Sequence, residues 1–470
     1  MPVCYTFSII FMKNPTLTCY GGVGIVTGAN FLLEIPTGSD STVKAIVDCG
    51  LIQGERSSQA LNWDPFGYDP KEIKYLFITH AHLDHVGRIP KLIKEGFAGE
   101  IYSTVPTREL ARLILEDGAG ILAGEARRDH RKEPLYDLDD VNNSFRNWKT
   151  LEYHVETKFP GFSLNLFDSG HVLGSTMYKF SFDNGRNIVL TGDLGNTPAP
   201  LLRDTESIAG AEYLVMESVY GDRNHQPRSE CRTQLGQIIN ETVARGGTVV
   251  IPSFSIERTQ VILYDLNRLV EEKTIPSIPV FVDSPLAIKV TDIYKRHEDL
   301  FNDQAKADIQ KNGDIFDFPK LEYVMTADVS QNIEKMPGSK VILAGSGMSM
   351  GGRITRHEEF YLPDAKNTLI EVGYQSAGTV GRQLIDGLKE VVMDGRTIPV
   401  RASVKKILAY SSHKDSDHLV GFVDDAKATL KQVFVTMGEP KASMFLTQKL
   451  RDNLGVNAMV PVAKKTYELN

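Results

Sequence analysis

The chain has 470 residues, 41% hydrophobic and 24% charged, a balance that excludes a wholly disordered, collagen-like or coiled-coil polypeptide and leaves room for at least two domains. Lysine and arginine number 52 against 60 aspartates and glutamates, a net charge of −8, which excludes a uniformly basic face for duplex DNA but not a local basic groove. The four cysteines (Cys4, Cys19, Cys49, Cys231) form no C-x-x-C pair, which excludes a disulfide scaffold and a thiolate zinc knuckle and predicts a reducing, cytoplasmic setting.

No apolar run approaches the roughly 20 residues a membrane span needs, so no membrane partner is expected. The opening MPVCYTFSIIF lacks a basic n-region and a small-residue cleavage site, which argues against a signal peptide. It reads either as sequence upstream of a start at Met12 or as an extra edge strand, and both readings stay open.

Along the chain, short β-branched runs alternate with helical stretches, the pattern of an α/β fold. Strands are predicted at Val43–Asp48, Tyr75–Thr79, Ser163–Phe167, Asn187–Thr191, Tyr213–Glu217, Thr248–Pro252, Val280–Val282, Val341–Ala344, Thr368–Glu371, Lys406–Tyr410 and Val433–Thr436. Helices are predicted at Thr107–Leu122, Arg232–Arg245 and Thr259–Lys273. Asp48, His80, Asp193, Glu217, Asp283 and His413 each fall at or just past the end of an apolar strand. Ligands of α/β sheets bind outside the carboxyl ends of strands, so these side chains are expected to converge.

The segment THAHLDH supplies His80, His82, Asp84 and His85 directly after a predicted strand. Imidazole and carboxylate are the donors that zinc and its first-row relatives favour. Three histidines with an interleaved carboxylate leave too little slack for one tetrahedral ion, so two adjacent ions are the economical reading. A chance polar loop capped by Asp84 is the bland alternative. DSGHVLGS sets His171 among small residues, and TGDLG sets Asp193 at a strand end between glycines, where a carboxylate can bridge two cations. Taken singly, His171 reads as a buried histidine and Asp193 as a turn residue; beside His80–His85 the metal reading prevails. Asp48, in VDCGLIQG, suits an outer role, holding a ligand histidine or a water by hydrogen bond.

HAHLDH, Asp48, His171 and Asp193, in this order, resemble the metallo-β-lactamase superfamily. MESVYGDRNH, IPSFSIERTQ, VDSPLA, GSGMSMGGR, GYQSAGTVGR and YSSHKD resemble its β-CASP branch, which holds RNA- and DNA-processing nucleases such as bacterial RNase J. The resemblance runs from about Thr16 to about Leu454. It implies an αββα metallo-β-lactamase sandwich carrying an inserted α/β β-CASP domain. Motif order then divides the chain into a first core part at 1–210, an insert at 211–394 and a returning core part at 395–470, with His413 on a returning strand.

Carried over residue by residue, the resemblance gives His80, His82 and His171 to one ion, Asp84 and His85 to a second, and Asp193 to both. Zinc is the expected metal, with manganese as the alternative. Glu217 takes the place of the branch's motif A acid, and His413 that of the motif B histidine acting as general acid. Asp84, Asp193, Glu217 and His413 are thus the expected catalytic set. The departure is VTMGEP, which puts Met437 where RNA-processing members have a histidine ligand. A thioether is a weak donor here, so the second ion is expected to be weaker or completed by water. His418 reads mainly as a helix-surface histidine, with compensation as the minor alternative.

The loop Ala344–Arg353 is rich in glycine and serine, a composition that lets backbone N–H groups and the Ser346 and Ser349 hydroxyls approach phosphate. Arg353 and Arg382, with Arg258 and Arg356 in the same region, are expected to follow a phosphate backbone, a solvated charged face being the alternative. Residues 401–470 hold 11 Lys+Arg against 7 Asp+Glu, a mildly basic tail. Tyr220, Phe254 and Tyr374 are candidates to stack on unpaired bases.

The expected function is a two-metal ribonuclease acting on single-stranded RNA in processing or decay, endo- and exonucleolytic modes both remaining open. Met437 keeps a DNA nuclease of the branch as the runner-up. A small-molecule metallohydrolase for a thioester or lactam, and a catalytically weak RNA-binding paralogue, are the other classes. Members of the branch often dimerise, and no interface is legible in this sequence.

Overall fold

The computed structural model describes residues 13–38, 41–54, 56–128, 133–373, 375 and 378–470. The expectations for residues 1–12 and for Tyr374 lie outside them.

Two seven-stranded sheets form the core. In the first, Thr16–Cys19, Phe31–Pro36, Thr42–Val47, Ile73–Phe77, Glu100–Ser103 and Trp148–Thr150 follow in order, and Thr466–Glu468 returns to pair beside Thr16–Cys19. The second places Gln432–Val435 parallel to Tyr213–Met216, so the end of the chain completes a sheet begun before the insert.

Alternation builds this sandwich. Phe162–Asp168 buries every second residue, presenting Phe162, Leu164 and Leu166 to the interior. Phe31, Phe77, Phe180, Val215 and Phe434 meet them there from both sheets. The outer face of the first sheet is covered by Ile89–Lys94 and Val105–Arg128, that of the second by Ser416–Asp424 and Pro440–Leu454. The layers are α, β, β, α, as the resemblance implied.

The insert is a six-stranded parallel sheet in the order Leu321–Tyr323, Val280–Asp283, Val341–Gly345, Val249–Ser253, Thr368–Glu371, Ser403–Lys406. Near-continuous burial of its inner strands is what a parallel sheet covered on both faces requires. Its last strand lies past residue 394, where the return to the core was expected. The predicted strand Lys406–Tyr410 is a correction of the same kind: the strand is Ser403–Lys406, and Leu408–Tyr410 turns as a short 3₁₀ helix. The chain turns there because Tyr410 is anchored, its hydroxyl donating to Asp265 at 2.7 Å and its ring lying under the Arg228 guanidinium. His413 therefore re-enters the core on a loop that makes a single bridge to Gly195.

One apolar cluster runs from core residues Val172, Leu173 and Leu202 into insert residues Ile256, Tyr294 and Phe301. The insert is thus packed onto the core beside the strand ends. Among the described residues no helix is long and apolar enough to cross a membrane.

Candidate active site

The strand ends deliver their side chains to one place. Asp48 follows Thr42–Val47 in the left-handed region, φ 61°, a conformation that aspartate tolerates better than most residues. From there its carboxylate accepts from the Thr79 backbone N–H and hydroxyl, both at 2.8 Å, and from His85 Nδ1 at 2.7 Å. His80 Nδ1 lies 3.0 Å from the same Thr79 hydroxyl, which accepts its proton while donating to Asp48. His171 Nδ1 donates to the Ser412 carbonyl at 3.2 Å. These outer partners fix the tautomers, so the Nε2 lone pairs of His80, His85 and His171 all face inward.

Two tight approaches set Asp193. Gly192 has φ 57°, and a Cβ there would stand 2.6 Å from Thr79 Cβ. A Cβ on Gly195 would stand 2.0 Å from the Gly170 carbonyl oxygen, so no side chain fits where this loop meets the His171 loop.

His80 Nε2 and His171 Nε2 lie 3.1 and 3.3 Å from His82 Nδ1, and each lies 3.5 Å from Asp193 Oδ2. Donors about 2.05 Å from a tetrahedral zinc stand roughly 3.3 Å apart, so this quartet has the spacing of a tetrahedral ion's ligand shell. The other Asp193 oxygen, Oδ1, is 3.4 Å from His85 Nε2, which is 3.9 Å from Asp84 Oδ2. Asp193 Oδ1 and His85 Nε2 are buried without a hydrogen-bond partner. Two buried polar atoms facing one another without a hydrogen bond are costly in a protein and natural around a cation. The residues fit divalent metal ions.

Charge states agree for the first group. Burial holds His80 and His171 well below the usual histidine range and His82 down at about 3, so all three are neutral donors. For His85 burial acts in the same direction, but the Asp193 and Asp48 carboxylates outweigh it and raise its pKa well above normal. A proton and a divalent cation therefore compete for that nitrogen. Asp193 is held ionised, the neighbouring histidines overcoming its burial, whereas burial pushes Asp84 up to about 6.

His413 Nδ1 lies 3.0 Å from Glu217 Oε1 and 4.0 Å from Asp193 Oδ2, and its ring centroid is 4.6 Å from that of His171. Glu217 is fixed by the backbone N–H groups of Leu194 at 2.7 Å and Val219 at 3.3 Å. Burial opposes protonation of His413, but the charge and hydrogen bond of Glu217, then Asp193 and Asp84, lift it to about 9.

Other expected residues are placed elsewhere. Asp283, at its strand end, receives Arg353 at 2.6 Å, His357 at 2.7 Å and Ser330 at 2.5 Å, and sits in this network instead of at the metal groups. Arg353 also donates to the Val324 and Met325 carbonyls, Arg356 pairs with Glu334, and Arg382 pairs with Asp386 on its own helix. Ser349 is buried on Glu358, while the Ser346 hydroxyl bonds Met350 within the loop. Met437 belongs to the sandwich's apolar cluster and lies against Gly22. His418, half exposed, bonds the helix-capping Asp415 at 2.8 Å. Tyr220 is buried against His225 and near His413, whereas Phe254 is exposed beside Gly347 of the glycine-rich loop. His225 was missed: its Nε2 lies 3.0 Å from the His413 carbonyl, and its place in MESVYGDRNH was the available signal.

Residues 38–212 match the metallo-β-lactamase superfamily domain, 259–384 the β-CASP domain, and 397–461 a Zn-dependent metallo-hydrolase RNA specificity domain. The chain is 35% identical over 404 residues to ribonuclease TTHA0252 of Thermus thermophilus, covering 86% of this chain and 89% of that protein. The chain belongs to the β-CASP branch of the metallo-β-lactamase superfamily. It is accordingly a metal-dependent hydrolase. Transcription termination factor FttA of Methanosarcina mazei is another relative, 30% identical over 469 residues, covering 96% of this chain and 71% of the longer protein. A solved Enterococcus faecalis protein of unknown function shares the fold, with a TM-score of 0.56 at 13% identity over 97% of this chain and all of that one.

In this β-CASP chain Asp48 is a member of none of the candidate ion groups and bears on them through its hydrogen bonds with His85 and Thr79. Asp48→Asn is expected to weaken metal binding by about 10- to 100-fold, because the amide no longer dictates the His85 tautomer. Competition with a chromophoric chelator measures this, and an unchanged affinity would remove Asp48 from the site.

Proposed function

We propose that the chain is a two-metal ribonuclease hydrolysing phosphodiester bonds of single-stranded RNA, working in RNA processing or decay. The observation that carries this is Asp193, whose two carboxylate oxygens face two donor groups while its neighbour His413 stands paired with Glu217. His80, His82, His171 and Asp193 would hold one ion, and Asp84, His85 and Asp193 the other. Bound there, such ions supply Lewis acidity, activating water and offsetting charge on the phosphoryl oxygens. Zinc is favoured by the nitrogen-rich first group, and the three-residue second group, with Met437 turned into the core, is the weaker one.

The chain's own residues do the rest. Asp84 and Asp193 orient the attacking water by accepting its hydrogen bonds. Glu217 holds His413 through Nδ1, which leaves Nε2 to carry the proton that the departing ribose oxygen needs. The insert packs beside the strand ends, and a cleft between it and the core suits a flexible strand better than stiff duplex, with exposed Phe254 available to stack on a base. The similarity to a ribonuclease and to the RNA specificity domain supports RNA over DNA. On this reading the core comprises the two seven-stranded sheets, including Tyr213–Met216, and the insert runs from after that strand through the strand Ser403–Lys406.

Cleavage of end-labelled single-stranded RNA and the matched DNA by zinc- or manganese-loaded protein tests the proposal, with Asp84→Ala in parallel. RNA cut, DNA spared and a silent variant are expected. Preferential cutting of DNA would replace the reading with a DNA nuclease. Cutting of neither would end it in favour of a small-molecule hydrolase or a binding paralogue.

A further inference from the structure

Beside the metal groups a small pocket opens between core and insert, lined among others by His171, Asn196, Arg228, Arg258, Ser411 and Ser412. Most of its polar groups are already used. The Ser411 and Ser412 carbonyls accept from Asn196, and Arg228 is paired with Asp265 at 3.1 Å while stacked on Tyr410. Arg258 differs. It is 7% exposed, and its Nε and Nη1 are buried without a hydrogen-bond partner.

The adjacent carboxylate does not compensate it. Glu257 accepts from the Tyr294 hydroxyl at 2.6 Å, and burial pushes its pKa up to about 7, so it is a weak counter-charge at neutral pH. A guanidinium cannot escape burial by losing its proton under working conditions, so its desolvation stays uncompensated in the protein alone. The backbone adds to the cost. Glu257 has φ 63° and ψ −52°, and Arg258 N–H donates to the Ile256 carbonyl at 2.7 Å, which together make a γ-turn of the rare, strained form. Tyr294 holds that turn from one side and accepts from Leu173 N–H at 3.2 Å, two residues from His171. A strained turn strutted to the metal-site loop, presenting a buried unpaired cation to a pocket, is expensive unless a ligand supplies the missing charge.

We propose that Arg258 binds a backbone phosphate of the substrate strand, the phosphodiester flanking the one cleaved, in the pocket beside His171. The proposal rests on the ribonuclease reading and adds a specific positioning contact to it. A guanidinium holds its donors in one rigid plane, which an ammonium does not, and the unpartnered Nε and Nη1 of Arg258 are two donors of that plane. The residue aligns the strand with the metal groups and does not touch the reacting atoms.

The test is RNA binding in an Asp84→Ala background, where cleavage does not interfere. Arg258→Gln is expected to weaken binding of a single-stranded oligoribonucleotide about 10- to 100-fold. The slope of log K against log salt should become shallower by about 0.7, the share of one phosphate on a single strand, with Arg258→Lys keeping the slope while losing part of the affinity. Melting temperature is the readout that a structural role would move the other way: removal of an uncompensated buried charge leaves Arg258→Gln at least as stable as its parent. With Arg258 intact, a scan of single neutral methylphosphonate linkages should find one position that reproduces the loss, and Arg258→Gln should be indifferent to that position. A parent with no sensitive linkage, or an Arg258→Gln protein that binds RNA with unchanged affinity and slope, overturns the proposal and leaves the ribonuclease reading intact. Failure of RNA to bind either protein overturns both.

Discussion

Asp193→Ala is expected to remove both ions at once and to lower RNA cleavage by more than the roughly 10- to 100-fold that loss of an outer partner such as Asp48 costs. The reason is geometric. Asp193 is the one side chain shared by all three clusters of donor atoms, Oδ2 facing His80, His171 and His413 and Oδ1 facing His85. Removing it takes a ligand from each ion site and the only negative charge among His80, His82 and His171. Asp193→Asn separates charge from shape, since the amide keeps one oxygen but presents N–H groups to the other donors. Elemental analysis after dialysis against zinc should give near two ions per parent chain and few or none for either variant. A thermal measurement guards against a general folding defect. At metal concentrations about 100 times the Kd, each occupied site stabilises the parent by about 2.7 kcal/mol, and the variants should show none of that increment while melting as the parent does in chelator. A variant that retains two ions sinks the bridging role.

Why Asp193 was legible from sequence, and Arg258 hardly, follows from the range of the interactions. His80, His82, Asp84 and His85 lie within one turn after a strand, so local spacing nearly determines that they face a common point. Asp193 and His171 depend on glycines that the sequence displays. The expectation that all strand-end residues converge failed for Asp283 because a strand end on the insert's own sheet faces its own neighbours, and His357, Ser330 and Arg353 reach it first. Arg353 is engaged in the same network, and Arg382 forms an exposed i,i+4 pair with Asp386. Composition cannot tell a committed arginine from a free one. Arg258 stands apart only through a turn centred on a glutamate, and nothing in the residue type of Glu257 announces a positive φ. Met437 was legible as a missing ligand, but not as a core residue packed against Gly22, because that contact joins segments more than 400 residues apart.

Glu217→Gln is expected to leave the metal groups filled and to move the alkaline limb of kcat/KM toward lower pH. His413 at Nε2 must carry a proton to act as an acid, so activity requires a pH below its pKa. Burial by itself favours the neutral ring, and the Glu217 carboxylate is the largest of the influences that reverse this and lift the pKa to about 9. With the charge gone the value falls to the ordinary histidine range of about 6.5 or below. At pH 8 the protonated fraction then drops from about nine-tenths to a few per cent, a loss of roughly 30-fold, whereas near pH 6 the two proteins should differ little. The sign is decisive. A general base at His413 would instead gain activity at low pH on the same substitution, since its deprotonated form would become more abundant. His413→Ala separates the acid role from a structural one. It should slow RNA cleavage by about 10²- to 10⁴-fold but leave hydrolysis of a p-nitrophenyl phosphodiester nearly unchanged, because that leaving group departs without a proton. Equal damage to both substrates would show that His413 supports the site and donates nothing, and the Glu217–His413 pair would then be a buried ion pair beside the reaction.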